Sequence, residues 1–138
     1  DLRNVAKLLK ESGSYTGALD LNYREFARIY EFVNNVGDRH KHNCYLVMVT
    51  MNTLPEQLAD IEKIEKALDC MEQSIRSKIR KVDVCTRYSS MQYLIILFEP
   101  QENQIPNVME RIFMHYYELC DREDFKPQYE YIKMTEPK

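Results

Sequence analysis

Only a few side chains in this sequence have the types and spacing for conventional chemistry. His40 and His42 lie beside Asp38 in DRHKHN, where two imidazoles and a carboxylate could hold a cation. No fourth ligand is visible near them, and a polar loop between a helix and a strand is the plainer reading. His115 sits among Met114, Tyr116 and Tyr117 on a helical stretch, a setting for a packed or surface residue more than for a base. A nucleophile at Ser89, Ser90 or Cys85 would need a histidine and an orienting acid, and neither is apparent. Tyr129 and Tyr131 share one face of a strand, as base-stacking aromatics do. A net charge of -3 and the lack of an RNP-like Gly-Phe pattern favour packing and point away from nucleic acid.

These candidates need a scaffold, and 138 residues suffice for one domain with a continuous core. With 44% hydrophobic and 30% charged residues, the chain reads as globular rather than disordered. No apolar run approaches the ~20 residues of a membrane span, and the polar, helical pattern of the first residues leads to the expectation of no signal peptide. Cys44, Cys70, Cys85 and Cys120 form no CxxC pair, so reduced thiols in a cytoplasmic protein are expected. The amino-terminal LRNVAKLLKES places Leu2, Val5, Leu8 and Leu9 on one helical face, a possible coiled-coil stub. Residues 1–18 are expected to be a linker helix and loop from an upstream module, and residues 19–138 the domain.

After the loop SGSYTGALD, the segment LNYREFARIYEFVNNVG repeats Phe26, Ile29, Tyr30, Val33 and Val36 at helical spacing. Asn22 and Glu25 form a capping-box pattern, Leu21 can staple onto Phe26, and Gly37 suits the helix end. CYLVMVTM predicts a strand buried on both faces. Thr53, Pro55 and Glu56 predict the start of a helix running to Arg80, about 39 Å long, with Leu58, Ile61, Leu68, Met71, Ile75 and Ile79 on its apolar face. VDVCTRY and QYLIILF predict a hairpin around the SSM turn. A helix over PNVMERIFMHYYELC and a strand at QYEYIKM follow. The order β-α-β-β-α-β predicts an α+β, ferredoxin-like antiparallel sheet with two crossover helices on one face and an additional amino-terminal helix.

The hairpin turn is the informative anomaly. It contains no Gly, Asn or Asp, the usual turn residues. The run RKVDVCTRYSSMQYLIILFE, from Arg80 to Glu99, resembles a segment of bacterial GGDEF domains, the diguanylate cyclases. In that family Arg-x-x-Asp precedes an Arg, an aromatic residue and Gly-Gly-Asp-Glu-Phe, and an apolar strand follows. NYREF, Asn22 to Phe26, resembles the family's Asn-Arg-Arg-x-Phe helix start. The resemblance spans Leu21 to the last strand and implies a nucleotide-cyclase-like fold. RYSS-Q before the apolar strand further resembles a degenerate branch found behind receiver domains in Firmicute-type signalling proteins, which implies a bacterial, two-component setting.

The departures from the pattern set the functional expectation. The family's glycines fall on Ser89 and Ser90, whose Cβ atoms obstruct close approach of backbone to a nucleotide. Its acidic pair falls on Met91 and Gln92, and its phenylalanine on Tyr93. Its further metal-binding Asp falls on Thr50, with Asn52 two residues on. The guanine-reading Asn and Asp have no counterpart in TLPEQLADIEKIEKALD. Phosphoryl transfer depends on metal charge, so losing these carboxylates removes the metal. The resemblance therefore implies an inactive module with no cofactor, which engages a protein partner or its own copy. Mg²⁺ would belong only to the alternative of a working cyclase. Arg80 and Asp83 match the family's inhibitory RxxD site, which implies a second alternative, a cyclic di-GMP receptor. There the guanidinium would fork onto guanine O6 and N7, and the carboxylate would accept from N1–H and N2–H. Against it, Arg80 is also a cation at a helix end and Asp83 also opens a strand.

Overall fold

A computed structural model describes residues 1–12, 19–40, 43–53, 60–120 and 125–134. The elements are α1 (Leu2–Ser12), β1 (Leu19–Leu21), α2 (Tyr23–His40), β2 (Cys44–Thr53), α3 (Ile61–Lys78), β3 (Val84–Ser89), β4 (Gln92–Phe98), α4 (Ile105–Leu119) and β5 (Phe125–Lys133). The strands form one sheet in the order β1-β3-β4-β2-β5. β4 runs antiparallel to β3 and to β2, and β2 antiparallel to β5. This is the expected α+β split pattern, with β1 added parallel to the edge of β3.

Alternation along the strands builds two cores. On one face Tyr45, Val47, Val49 and Met51 pack with Tyr93, Ile95 and Leu97 beneath α3 and α4. The helices contribute Leu68, Met71 and Ile75 from α3 and Ile105, Met109, Ile112 and Tyr116 from α4. Full burial of each such aliphatic side chain stabilises the fold by about 1.5–3 kcal/mol. The hydroxyl of buried Ser74 donates to the Ile112 carbonyl and ties the two helices together. On the other face Phe26 and Val33 of α2 cover Val84, Leu94 and Ile96, with Leu46 and Met48 partly buried beside them.

The helix starts follow local chemistry. Asn22 Oδ1 accepts from Glu25 N at 2.9 Å, and Glu25 Oε1 accepts from Asn22 N at 3.3 Å, completing the capping box. Leu21 packs in the same cluster as Phe26, as a hydrophobic staple does. Asp60 caps α3 by accepting from Lys63 N at 3.1 Å.

Four expectations are corrected. Leu19 and Asp20, from the expected loop, form β1 together with Leu21, because the Thr86 hydroxyl and the β3 backbone receive it. Gly37 does not end α2, which continues to His40, so Asp38 and His40 are helical residues. Thr53 is the last residue of β2, held by pairing with Phe125, rather than a helix start. α3 is an 18-residue helix, about 27 Å long, and Ile61 at its start is exposed. Pro55, Glu56 and Leu58 lie outside the described residues. The apolar residues of α1 are exposed, Leu2 at 82% and Leu9 at 69%.

Candidate functional site

The β3–β4 hairpin brings Ser89, Ser90, Met91 and Gln92 together at one turn. Ser89 pairs with Gln92 across a two-residue turn, Ser90 and Met91, with an irregular step between Arg87 and Ser89. Among the described residues only Glu99 combines a side chain with positive φ, so this turn needs no glycine. Its own side chains close it. The Ser89 hydroxyl donates to Gln92 Oε1 at 2.9 Å, and Met91 N donates to Ser89 Oγ at 3.4 Å. Arg87 lies over the turn, its Nε and Nη2 donating to the Ser89 and Ser90 carbonyls, each at 3.4 Å.

Register places Thr50 of β2 directly opposite Gln92. Gln92 Nε2 donates to Thr50 Oγ1 at 3.3 Å and approaches Met48 Sδ at 3.2 Å. The side chains of Met91 and Tyr93, on either side of Gln92, turn the other way. Met91 packs against the α3/α4 core, and its carbonyl accepts from Met51 N at 2.8 Å. Tyr93 is buried in that core, its hydroxyl donating to the Leu68 carbonyl at 2.8 Å. Thr50, Met91 and Gln92 carry no charge, and Gln92 satisfies Thr50 with an N–H donor. Such a set does not fit a divalent cation, which takes hard, anionic oxygen ligands. Among the described residues no three His, Cys, Asp or Glu side chains converge.

Arg80 and Asp83 come together as a closed bracket at the far end of the sheet. The Asp83 side chain is 2% exposed and that of Arg80 is 55% exposed. Asp83 accepts from Arg80 N at 2.9 Å, from Arg80 Nε and Nη2 at 3.3 Å each, and from Phe98 N at 2.9 Å. Arg80 Nη2 also donates to the Phe98 carbonyl. Asp83 N returns a bond to Arg80 O at 3.0 Å. This one carboxylate thus joins the end of α3, the start of β3 and the end of β4.

The remaining candidates are dispersed. His40 ends α2, and His42 lies outside the described residues. His115 on α4 meets Ser77 on α3, Nδ1 to Oγ 3.2 Å, a pair 38 residues apart that no sequence motif announces. The Ser77 hydroxyl also reaches the Ser74 carbonyl at 3.1 Å. No described carboxylate is bonded to the other His115 nitrogen, so the pair lacks the third member of a triad. Cys85 is a buried core residue. Burial raises the Cys70 thiol, with the Cys120 thiol beside it adding to the effect, and burial likewise raises Cys44. Such thiols are poor nucleophiles. Tyr129 and Tyr131 stack on each other at 6.5 Å, but both are half-buried, one edge-on to Phe113 and the other to Tyr45.

No family profile and no curated protein matches this sequence. Solved structures do match in fold. A DGC protein from Thermotoga maritima aligns with a TM-score of 0.66 at 17% identity, covering 86% of this chain and 82% of that one. The FimX GGDEF domain from Pseudomonas aeruginosa aligns with a TM-score of 0.70 at 13% identity, over 83% of this chain and 75% of that one. Diguanylate cyclase SiaD from Pseudomonas aeruginosa, solved with its activator SiaC, aligns with a TM-score of 0.67 at 18% identity, over 96% of this chain and 54% of that one. The chain has the fold of GGDEF domains. Among the described residues no helix is long and apolar enough to cross a membrane.

Proposed function

We propose that this chain is a signalling output module that keeps the GGDEF fold without cyclase chemistry and acts by contact with a protein partner or its own copy. The observation that carries this reading is the hydrogen-bonded pair of Thr50 and Gln92. The resemblance expects carboxylates and a metal there, and two neutral side chains satisfy each other instead. Without that metal nothing neutralises the charge that develops in phosphoryl transfer. Partner contact has a precedent in the fold, since SiaD was solved bound to a protein activator. The test is incubation of the chain with GTP and Mg²⁺ or Mn²⁺. No cyclic di-GMP should form, and any that does overturns the reading.

The alternative of a cyclic di-GMP receptor rests on the exposed half of Arg80. Its carboxylate partner is already committed to four internal donors. Calorimetry with cyclic di-GMP separates the two readings. Absence of heat at high micromolar ligand removes the receptor, whereas binding that disappears in Arg80→Ala establishes it.

A further inference from the structure

On the α2 side of the sheet lies a hollow of about 200 Å³, lined by Tyr23, Phe26, Ala27, Tyr30, Leu46 and Leu94. Its construction follows from α2. Tyr23, Ala27 and Tyr30 fall at i, i+4 and i+7 on one helical stripe. The two tyrosines stand about two turns apart, and the methyl group of Ala27 leaves the space between them unfilled. Buried Phe26 and Leu94 and half-buried Leu46 supply the remaining lining. The only polar side-chain atoms among these six residues are the tyrosine hydroxyls.

We propose that this hollow is a binding site for a small, flat, uncharged aromatic molecule of one or two rings. Size sets the upper limit, since an apolar cavity of about 150 Å³ accepts benzene and this one is moderately larger. The lining sets the chemistry. Tyrosine rings present π-faces and edges to an aromatic guest. No lining residue carries a charge to pair with an ionised ligand, and the walls offer it only apolar surface and two hydroxyls. The tyrosine hydroxyls leave room for one polar group on the guest. The hollow also adjoins the hairpin. In the β2–β4 ladder Leu46 pairs with Ile96 and Leu94 with Met48, and the next residues of the same face are Gln92 and Thr50. Tyr23 meets Tyr88 of β3 at 5.7 Å. A guest there bridges α2 to the strands that carry the turn.

The experiment is titration of the full chain with indole, followed by methyl and amide NMR, with benzoate as the charged counterpart. Saturable shifts centred on Ala27, Leu46 and Leu94 are expected, with a dissociation constant on the order of 1 mM. Benzoate should bind at least tenfold more weakly. Ala27→Leu fills the hollow from an exposed helix position and should weaken indole at least tenfold. Tyr23→Leu should weaken it several-fold without harm to the core. The proposal is overturned if indole fails to saturate by 10 mM, if the shifts map elsewhere, if benzoate matches indole, or if folded Ala27→Leu binds indole as the unsubstituted chain does.

Discussion

Replacing Asp83 distinguishes a carboxylate that holds the fold from one reserved for a ligand. In Asp83→Ala two backbone donors, Arg80 N and Phe98 N, lose an anionic acceptor at 2.9 Å. Hydrogen bonds to charged groups contribute about 1.5–3 kcal/mol each, and partial rehydration of the exposed Arg80 end returns some of that. The net cost is about 3 kcal/mol. Asp83→Asn keeps the shape, but its amide can accept from only one of the two N–H groups and turns a donor on the other, so it should cost about 2 kcal/mol. Arg80→Ala removes the 3.3 Å contacts to Asp83 and the bond to the Phe98 carbonyl, all from a side chain more than half exposed where solvent screens the pair, and should cost about 1 kcal/mol. With a urea m-value of about 1.5 kcal/mol/M, Asp83→Ala lowers the unfolding midpoint by about 2 M at unchanged m. Equilibrium urea unfolding by circular dichroism reads all three variants. The reasoning is refuted if Asp83→Ala costs under about 1 kcal/mol, or if Arg80→Ala costs as much as Asp83→Ala. Either outcome would mean that the backbone bonds are not what the carboxylate is for.

Introducing charge at the turn with Thr50→Asp and Gln92→Glu together places two carboxylates on directly opposed residues; thermal unfolding should show a loss of about 1–2 kcal/mol, partly recovered by millimolar Mn²⁺. Insensitivity to Mn²⁺ would show that this backbone does not aim the pair at a common cation. Because the turn uses no positive φ, Ser89→Gly with Ser90→Gly should destabilise by about 1 kcal/mol through unfolded-chain entropy, and a gain in stability would contradict the observed turn. Tyr93→Phe should cost about 1 kcal/mol in urea unfolding by removing the 2.8 Å bond to Leu68 O. Burial raises the pKa values of Tyr116, Cys44 and Cys70, which therefore stay protonated in the folded chain while their unfolded counterparts ionise from about pH 9 for thiols and pH 10 for tyrosine. Their stability is complete below pH 9 and falls as pH rises further. A melting-temperature profile should decline more gently above pH 10 in Tyr116→Phe than in the unsubstituted chain.

The fold was legible where one local signal agreed with burial. The buried run of β2, the stripe of Leu68, Met71 and Ile75, and the box of Asn22 and Glu25 each decided an element. It was illegible where pairing outweighed local preference. Leu-Asp-Leu carries no strand pattern in three residues, and β1 exists because β3 offers it an edge. Thr53 and Glu56 mimic a cap, yet Thr53 gains more from pairing with Phe125, and the carboxylate of Asp60 is the group that takes the helix N–H. Gly37 costs α2 only about 1 kcal/mol relative to alanine, too little to stop a helix anchored by Phe26 and Val33. The candidate site was harder still. Thr50 faces Gln92 through ladder register, 42 residues apart, and His115 reaches Ser77 across 38. A sequence names such residues but not their partners.

On the proposed reading, what occupies the turn matters as much as what the resemblance expects there. Carboxylates gathered at one point repel until a cation joins them, so a hairpin built that way depends on its ligand. Here the same backbone position is neutral and internally bonded, from Ser89 through Gln92 to Thr50, while Arg87 engages the two turn carbonyls. Met91 and Tyr93 pack into or against the α3/α4 core. The turn is therefore stable without any bound ion. On the proposed reading that is the useful property, because a surface that recognises a protein must keep its shape before the partner arrives. On that same reading, self-satisfied packing at one hairpin is sufficient to hold the scaffold in shape without a bound ligand.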